Sequence, residues 1–132
     1  MAQNDNVKGL KVILVIFAVM MFIYGFSFLF IPGILFKLIG GNLVEFIWVR
    51  WAGGVLIALG IGSLMASSKP EKQGIFVTSM ALAVLFGGLG MLYSWIMQEF
   101  SAAIWFIALS TCLPLIVSAL LFWVRNQAKG IL

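Results

Sequence analysis

Histidine is absent from these 132 residues, and that gap removes a large class of chemistry. Imidazole is the commonest protein ligand for transition metals and haem, and the commonest general base. Cysteine occurs once, as Cys112, so no internal disulfide can form. The acids are few: Asp5, Glu45, Glu71 and Glu99, all in termini or expected loops. A proton-coupled carrier needs an ionisable group at membrane depth, and no carboxyl is placed there. Neither a glycine-rich phosphate loop nor a nucleophile beside a base is found. The expectation is a chain that is not an enzyme, with no metal and no cofactor.

Charge is scarce as well. Charged residues make up 9% and hydrophobic ones 64%, whereas a soluble domain is about a quarter charged. Charge-free windows cover residues 12–36, 51–68, 73–98 and 100–124. Roughly 20 apolar residues cross a bilayer core as a helix. Three windows suffice alone, and the second reaches full length when residues 46–51 join it. The fold class is therefore all-α: a polytopic membrane protein, an antiparallel bundle of four transmembrane helices in one membrane domain. Its spans are expected at about 10–31, 46–66, 75–97 and 102–123.

The basic residues report topology. Lys8, Lys11, Lys69, Lys72, Arg125 and Lys129 fall on one side of such a bundle, and only Lys37 and Arg50 on the other. The positive-inside rule then places both termini in the cytoplasm, in the cell (inner) membrane, and leaves no footprint for nucleic acid. A cleaved leader ending near Gly25-Phe26-Ser27 is the competing reading of the N-terminus. The apolar run continues unbroken past that site, which favours a retained span.

Between the spans, residues 1–9 are polar and expected to fray. Pro32-Gly33 stops the first span. ILFKLIGG, residues 34–41, is too short to cross and too apolar to float free. It reads as an interfacial helix or re-entrant turn on the outer face, or as a loop packed on the bundle end. The short turn SSKPEKQG makes spans two and three expected antiparallel neighbours.

Helices in lipid associate through small residues and a few polar contacts, because acyl tails are as apolar as leucine. Candidate packing stripes are Gly54, Ala58 and Gly62 in span two, and Ala83, Gly87, Gly90 and Ser94 in span three. In span four Pro114 lacks an N–H and is expected to bend the helix, with Ser110 nearby. The stripes serve packing, or they line a slot for a lipophile.

One stretch resists the pattern. In WVRWAGG, residues 48–54, Arg50 stands between Trp48 and Trp51, about one turn inside the outer boundary. Glu45, Tyr93 and Glu99 are expected at the same level, amid an aromatic belt. Arg50 either snorkels to the headgroups or Glu99, or anchors a pocket with Tyr93, Trp51 and Glu99. In the second case its planar fork would hold an anionic headgroup or polarise a carbonyl.

The segments YGFSFLFIPG, VRWAGGVLIALGIG and GGLGMLYSW resemble small bacterial four-span proteins of the DoxX-like kind and related groups of unassigned function. In those groups an arginine followed by a glycine pair often opens the second span, as Arg50, Gly53 and Gly54 do here. They often carry an arginine or acid where this chain has Tyr93.

Two functions follow as expectations. The first is an accessory or structural subunit, packed against other membrane subunits or self-associating. The second is binding or carriage of a lipophilic molecule (quinone, carotenoid or lipid) near Arg50 and Tyr93.

Overall fold

The computed structural model describes residues 2–41, 46–99 and 101–132 and is all-helical across them. Its elements are α1 (Ala2–Phe30), α2 (Pro32–Leu38), α3 (Ile47–Ser68), α4 (Gly74–Ile96) and α5 (Ile104–Gln127). Every helix but α2 is long and apolar enough to cross a membrane. The outward surface is apolar too, with Ile75 87% and Ile47 71% exposed. Such a surface cannot be left in water, so the chain is an integral membrane protein, a four-span antiparallel bundle.

The main departure in boundaries is at the start. The first turns of α1 include residues expected to fray. Nothing there breaks a helix: the stretch from Gln3 to Lys8 holds neither Pro nor Gly, and Asp5 in the first turn complements the helix dipole. The Asn6 amide donates to the Gln127 carbonyl at 3.2 Å, tying the start of α1 to the end of α5. At the other end Pro32 has no N–H to bond the Phe28 carbonyl, so α1 stops and α2 begins with proline at its first position.

α2 is a roof rather than a float. Phe36 and Ile39 are buried and form a small core with Phe106 of α5, against Tyr24, Val49 and Ala102. The Ala103 N–H donates to the Ile39 carbonyl at 2.6 Å, pinning the roof to the chain just before α5. Lys37 and Leu38 face away from the bundle.

The spans group in two pairs. α3 lies along α1, α5 lies along α4, and α1 joins the pairs by touching α5. The expected neighbour relation of α3 and α4 holds only weakly. They barely touch, and the close contact is Gly62 against the Phe76 ring, near their connecting turn. A short turn fixes the ends of two helices but does not hold them together along their length.

Close backbone approach builds the α1–α3 pair. A Cβ on Gly53 would sit 2.7 Å from both the Gly25 carbonyl oxygen and the Leu29 nitrogen. Two turns farther along α3, Phe22 lies over Gly60, where a Cβ would meet its ring at 2.9 Å. In the α4–α5 pair, Gly88 makes room for Leu115 in the same way. Each pair is also stitched by one buried serine. Ser63 of α3 donates to the Leu14 carbonyl of α1 at 2.7 Å, and Ser118 of α5 to the Ala81 carbonyl of α4 at 2.9 Å. Such bonds matter in a medium where lipid offers no competing partner.

The buried face of α3 therefore runs through Gly53, Gly60, Ser63 and Ala66, and of the expected stripe Gly54, Ala58 and Gly62 it is Gly62 that packs, against Phe76. Gly54 and Ala58 are exposed, and a Cβ on Gly54 would meet nothing. The two stripes lie one residue, about 100°, apart on the helix. With small residues on both sides, sequence alone offered two faces.

Candidate functional site

Around the terminal end of the bundle the interior is filled. Leu10, Leu14, Phe17, Val77, Met80 and Leu121 are wholly buried there. Towards the α2 end, the space where α3 and α4 part is open. It forms a cavity of about 530 Å³, within the usual range for small-molecule sites.

Four spans and the roof supply its walls. From α1 come Met20, Met21, Tyr24 and Phe28; α3 contributes Trp48, Val49, Ala52 and Leu56. The facing wall of α4 carries Ala83, Gly87, Met91 and Ser94, and α5 adds Phe106, Ser110 and Pro114. Phe36 of α2 closes the end. Because the roof covers the end and α1 and α5 form the back, the gap between α3 and α4 is the way in, facing the acyl chains. Trp48 is 70% exposed at this opening, and Ala83 and Gly87 are exposed on its other lip.

Among the described residues no charged side chain lines the cavity. Its main polar feature is a hydroxyl pair, Tyr24 Oη and Ser110 Oγ, 3.2 Å apart. Tyr24 stands six residues before the end of α1 and Ser110 six residues after the start of α5. At 1.5 Å per residue in antiparallel helices, both lie about 9 Å below that end. Ser94 is the other hydroxyl in the wall. It is engaged at the rim, donating to Glu99 Oε2 at 3.1 Å.

The residues expected to bind a ligand do not line this cavity. Arg50, Trp51, Tyr93 and Glu99 all lie outside the cavity lining. Trp51 is 66% and Tyr93 58% exposed. Arg50 has a definite partner instead: Nη1 donates to the Leu29 carbonyl at 2.5 Å. Leu29 belongs to the last turn of α1, whose carbonyls have no continuing helix to bond them. A guanidinium at a helix C-terminus also meets the negative end of its dipole. Arg50 thus caps α1 one turn from the Gly25–Gly53 crossing. Glu45, another expected contact, lies outside the described residues.

Part of the expected packing set lies at the cavity instead. Ala83, Gly87, Ser94 and Pro114 line it, while Gly90 is exposed with open space at its Cβ position. Ser110 spends its hydroxyl on Tyr24 across the bundle, not on its own helix beside Pro114. Tyr24 is not among the site residues expected from the sequence. Its equal distance from the boundary with Ser110 was the available signal. Among the described residues no group of three or more Cys, Asp or Glu side chains could hold a metal ion, and Cys112 is an exposed free thiol.

Comparison with protein-family models, curated proteins and solved structures returned no match.

Proposed function

We propose that this chain binds a lipophilic molecule, admitted sideways from the bilayer between α3 and α4. The observation that carries the reading is the roofed apolar cavity, open where acyl chains lie and lined by no charged side chain among the described residues. Bundles in lipid gain stability by packing, so a hollow of this size leaves contacts unmade that an occupant supplies. The role is non-catalytic carriage or sequestration.

The basic residues extend the proposal to orientation. With Lys8, Lys11, Lys69, Lys72, Arg125 and Lys129 at the terminal end, that end is cytoplasmic and the cavity opens in the outer leaflet of the cell membrane. Membership of the DoxX-like four-span proteins, carried by Arg50, Gly53 and Gly54, belongs to the same proposal.

The test is what the purified protein holds. Native mass spectrometry from mild detergent is expected to show a stoichiometric hydrophobic ligand on the wild type. Gly87→Phe places a ring where the structure has open space, and should release that ligand without unfolding the chain. An identical complement of bulk lipid on both proteins would refute the reading.

A second reading is an accessory subunit or homo-oligomer. It is favoured by Gly54 and Ala58, exposed at i and i+4 on α3 with nothing against Gly54, a pattern that lets helices approach closely. Native electrophoresis across detergent concentrations tests it: an assembly lost in Gly54→Leu supports it, and a monomer throughout opposes it.

A further inference from the structure

Resting on the lipophile-binding reading, we infer that the ligand is a ring-type lipophile carrying a carbonyl oxygen, received by the Tyr24–Ser110 hydroxyl pair. The argument is a count of protons. Two hydroxyls carry two O–H protons, and their mutual contact uses one, whichever group donates. Among the described residues neither hydroxyl makes another hydrogen bond, although Ser94, Ser63 and Ser118 all find acceptors. One O–H of the pair is therefore free, and both residues line the cavity.

A free donor in apolar surroundings is costly, and an occupant that accepts its proton recovers that loss. A pure hydrocarbon leaves it stranded. A diacyl lipid fits poorly for a different reason. Its ester carbonyls belong at the interface, whereas the pair lies about 9 Å below the helix ends. A ring bearing its own carbonyl can travel to that depth. The wall there suits it: Phe28 and Phe106 offer aromatic faces, and Met20, Met21 and Met91 adapt their shape around a planar group.

The experiment compares two probes that differ only at the recognised atom. Benzophenone carries a carbonyl between two phenyl rings, and diphenylmethane has a methylene in its place. Radiolabelled forms of each are titrated onto the full chain in lipid nanodiscs, with empty nanodiscs as the baseline. The wild type is expected to bind benzophenone about five- to ten-fold more tightly. The double variant Tyr24→Phe/Ser110→Ala removes both hydroxyls while keeping shape, so the fold is retained. There the preference should fall below about two-fold, with diphenylmethane binding unchanged. The ketone stretching band of bound benzophenone should lie lower in frequency on the wild type than on the double variant, because a donated hydrogen bond weakens the C=O bond.

Equal, saturable binding of both probes to the wild type would overturn the carbonyl inference and leave the lipophile reading standing. So would a ketone preference that survives in the double variant. Saturable binding of neither probe above empty nanodiscs would remove the lipophile reading, and this inference with it.

Discussion

The terminal half of the bundle and the half under α2 are made from one alphabet, yet one is full and the other hollow. In the terminal half, large side chains from three spans meet: Leu14 and Phe17 of α1, Met80 of α4 and Leu121 of α5, all wholly buried. There α3 and α4 start from a short turn and are near enough for Gly62 to receive Phe76. Farther on, the two walls include Ala52 on one side and Ala83 and Gly87 on the other, small residues that leave the gap unfilled. Small residues thus do opposite things in the two settings. Where a partner backbone arrives, as at Gly25 and Gly53, they let helices touch. Where none arrives, they leave a void. The composition of a stripe does not decide between these; the path of the neighbouring helix does.

The sharpest way to break this contrast is at the crossing that sets the path of α3. Gly53→Leu would drive a side chain into the Gly25 carbonyl and the Leu29 backbone, neither of which can yield as a flexible side chain would. Loss of about 4 kcal/mol or more is expected from overpacking against backbone. It would appear as loss of the monodisperse folded species in size-exclusion chromatography and thermal melts.

A smaller effect separates the two halves directly. Leu14→Ala empties a site in the packed half and should cost about 2–4 kcal/mol, since little can collapse into it. Leu56→Ala enlarges a cavity that already exists, and about 1 kcal/mol or less is expected because its neighbours are already missing on one side. Equal losses in denaturation of the two variants would mean that the α2 half is packed as tightly as the other.

Arg50→Ala comes next. Removing one charge-assisted hydrogen bond from an exposed helix end should cost about 1 kcal/mol. Amide exchange is expected to quicken in the last turn of α1 and at the start of α2, with ligand binding kept. If ligand affinity fell in Arg50→Ala while melting temperature held, Arg50 would be a binding residue instead of a cap. The smallest stability change is expected at Gly87→Phe, within about 0.5 kcal/mol of wild type, because the ring enters free space and replacing a glycine inside a helix carries no propensity cost. A melt and a ligand measurement on the same sample show whether occupancy and stability part company there.

Much of this architecture was legible in residue order. Four long charge-poor runs, each close to the length a bilayer demands, allow little besides four crossing helices, since backbone polar groups in lipid must be satisfied within the span. The stop at Pro32 and the turns between spans follow from local chemistry in the same way. The start of α1 departs from the expectation because polar residues resemble a frayed end, and its anchor, the Asn6–Gln127 contact, lies at the far end of the sequence.

The candidate site was mostly illegible. A charge near lipid is rare, but a rare residue needs only a partner, and Arg50 has one in the Leu29 carbonyl. Nothing in the order of residues says which face of α3 turns towards α1, because Gly53 and Gly54 are equally small. Local sequence therefore determined that four spans exist, how long they are and where they stop, through hydrogen bonding within each helix. Which helices touch, where they diverge, and that Tyr24 and Ser110 share a depth and a hydrogen bond were decided only in tertiary structure. Those facts depend on shape matched between segments far apart in the chain, and no single segment carries that information.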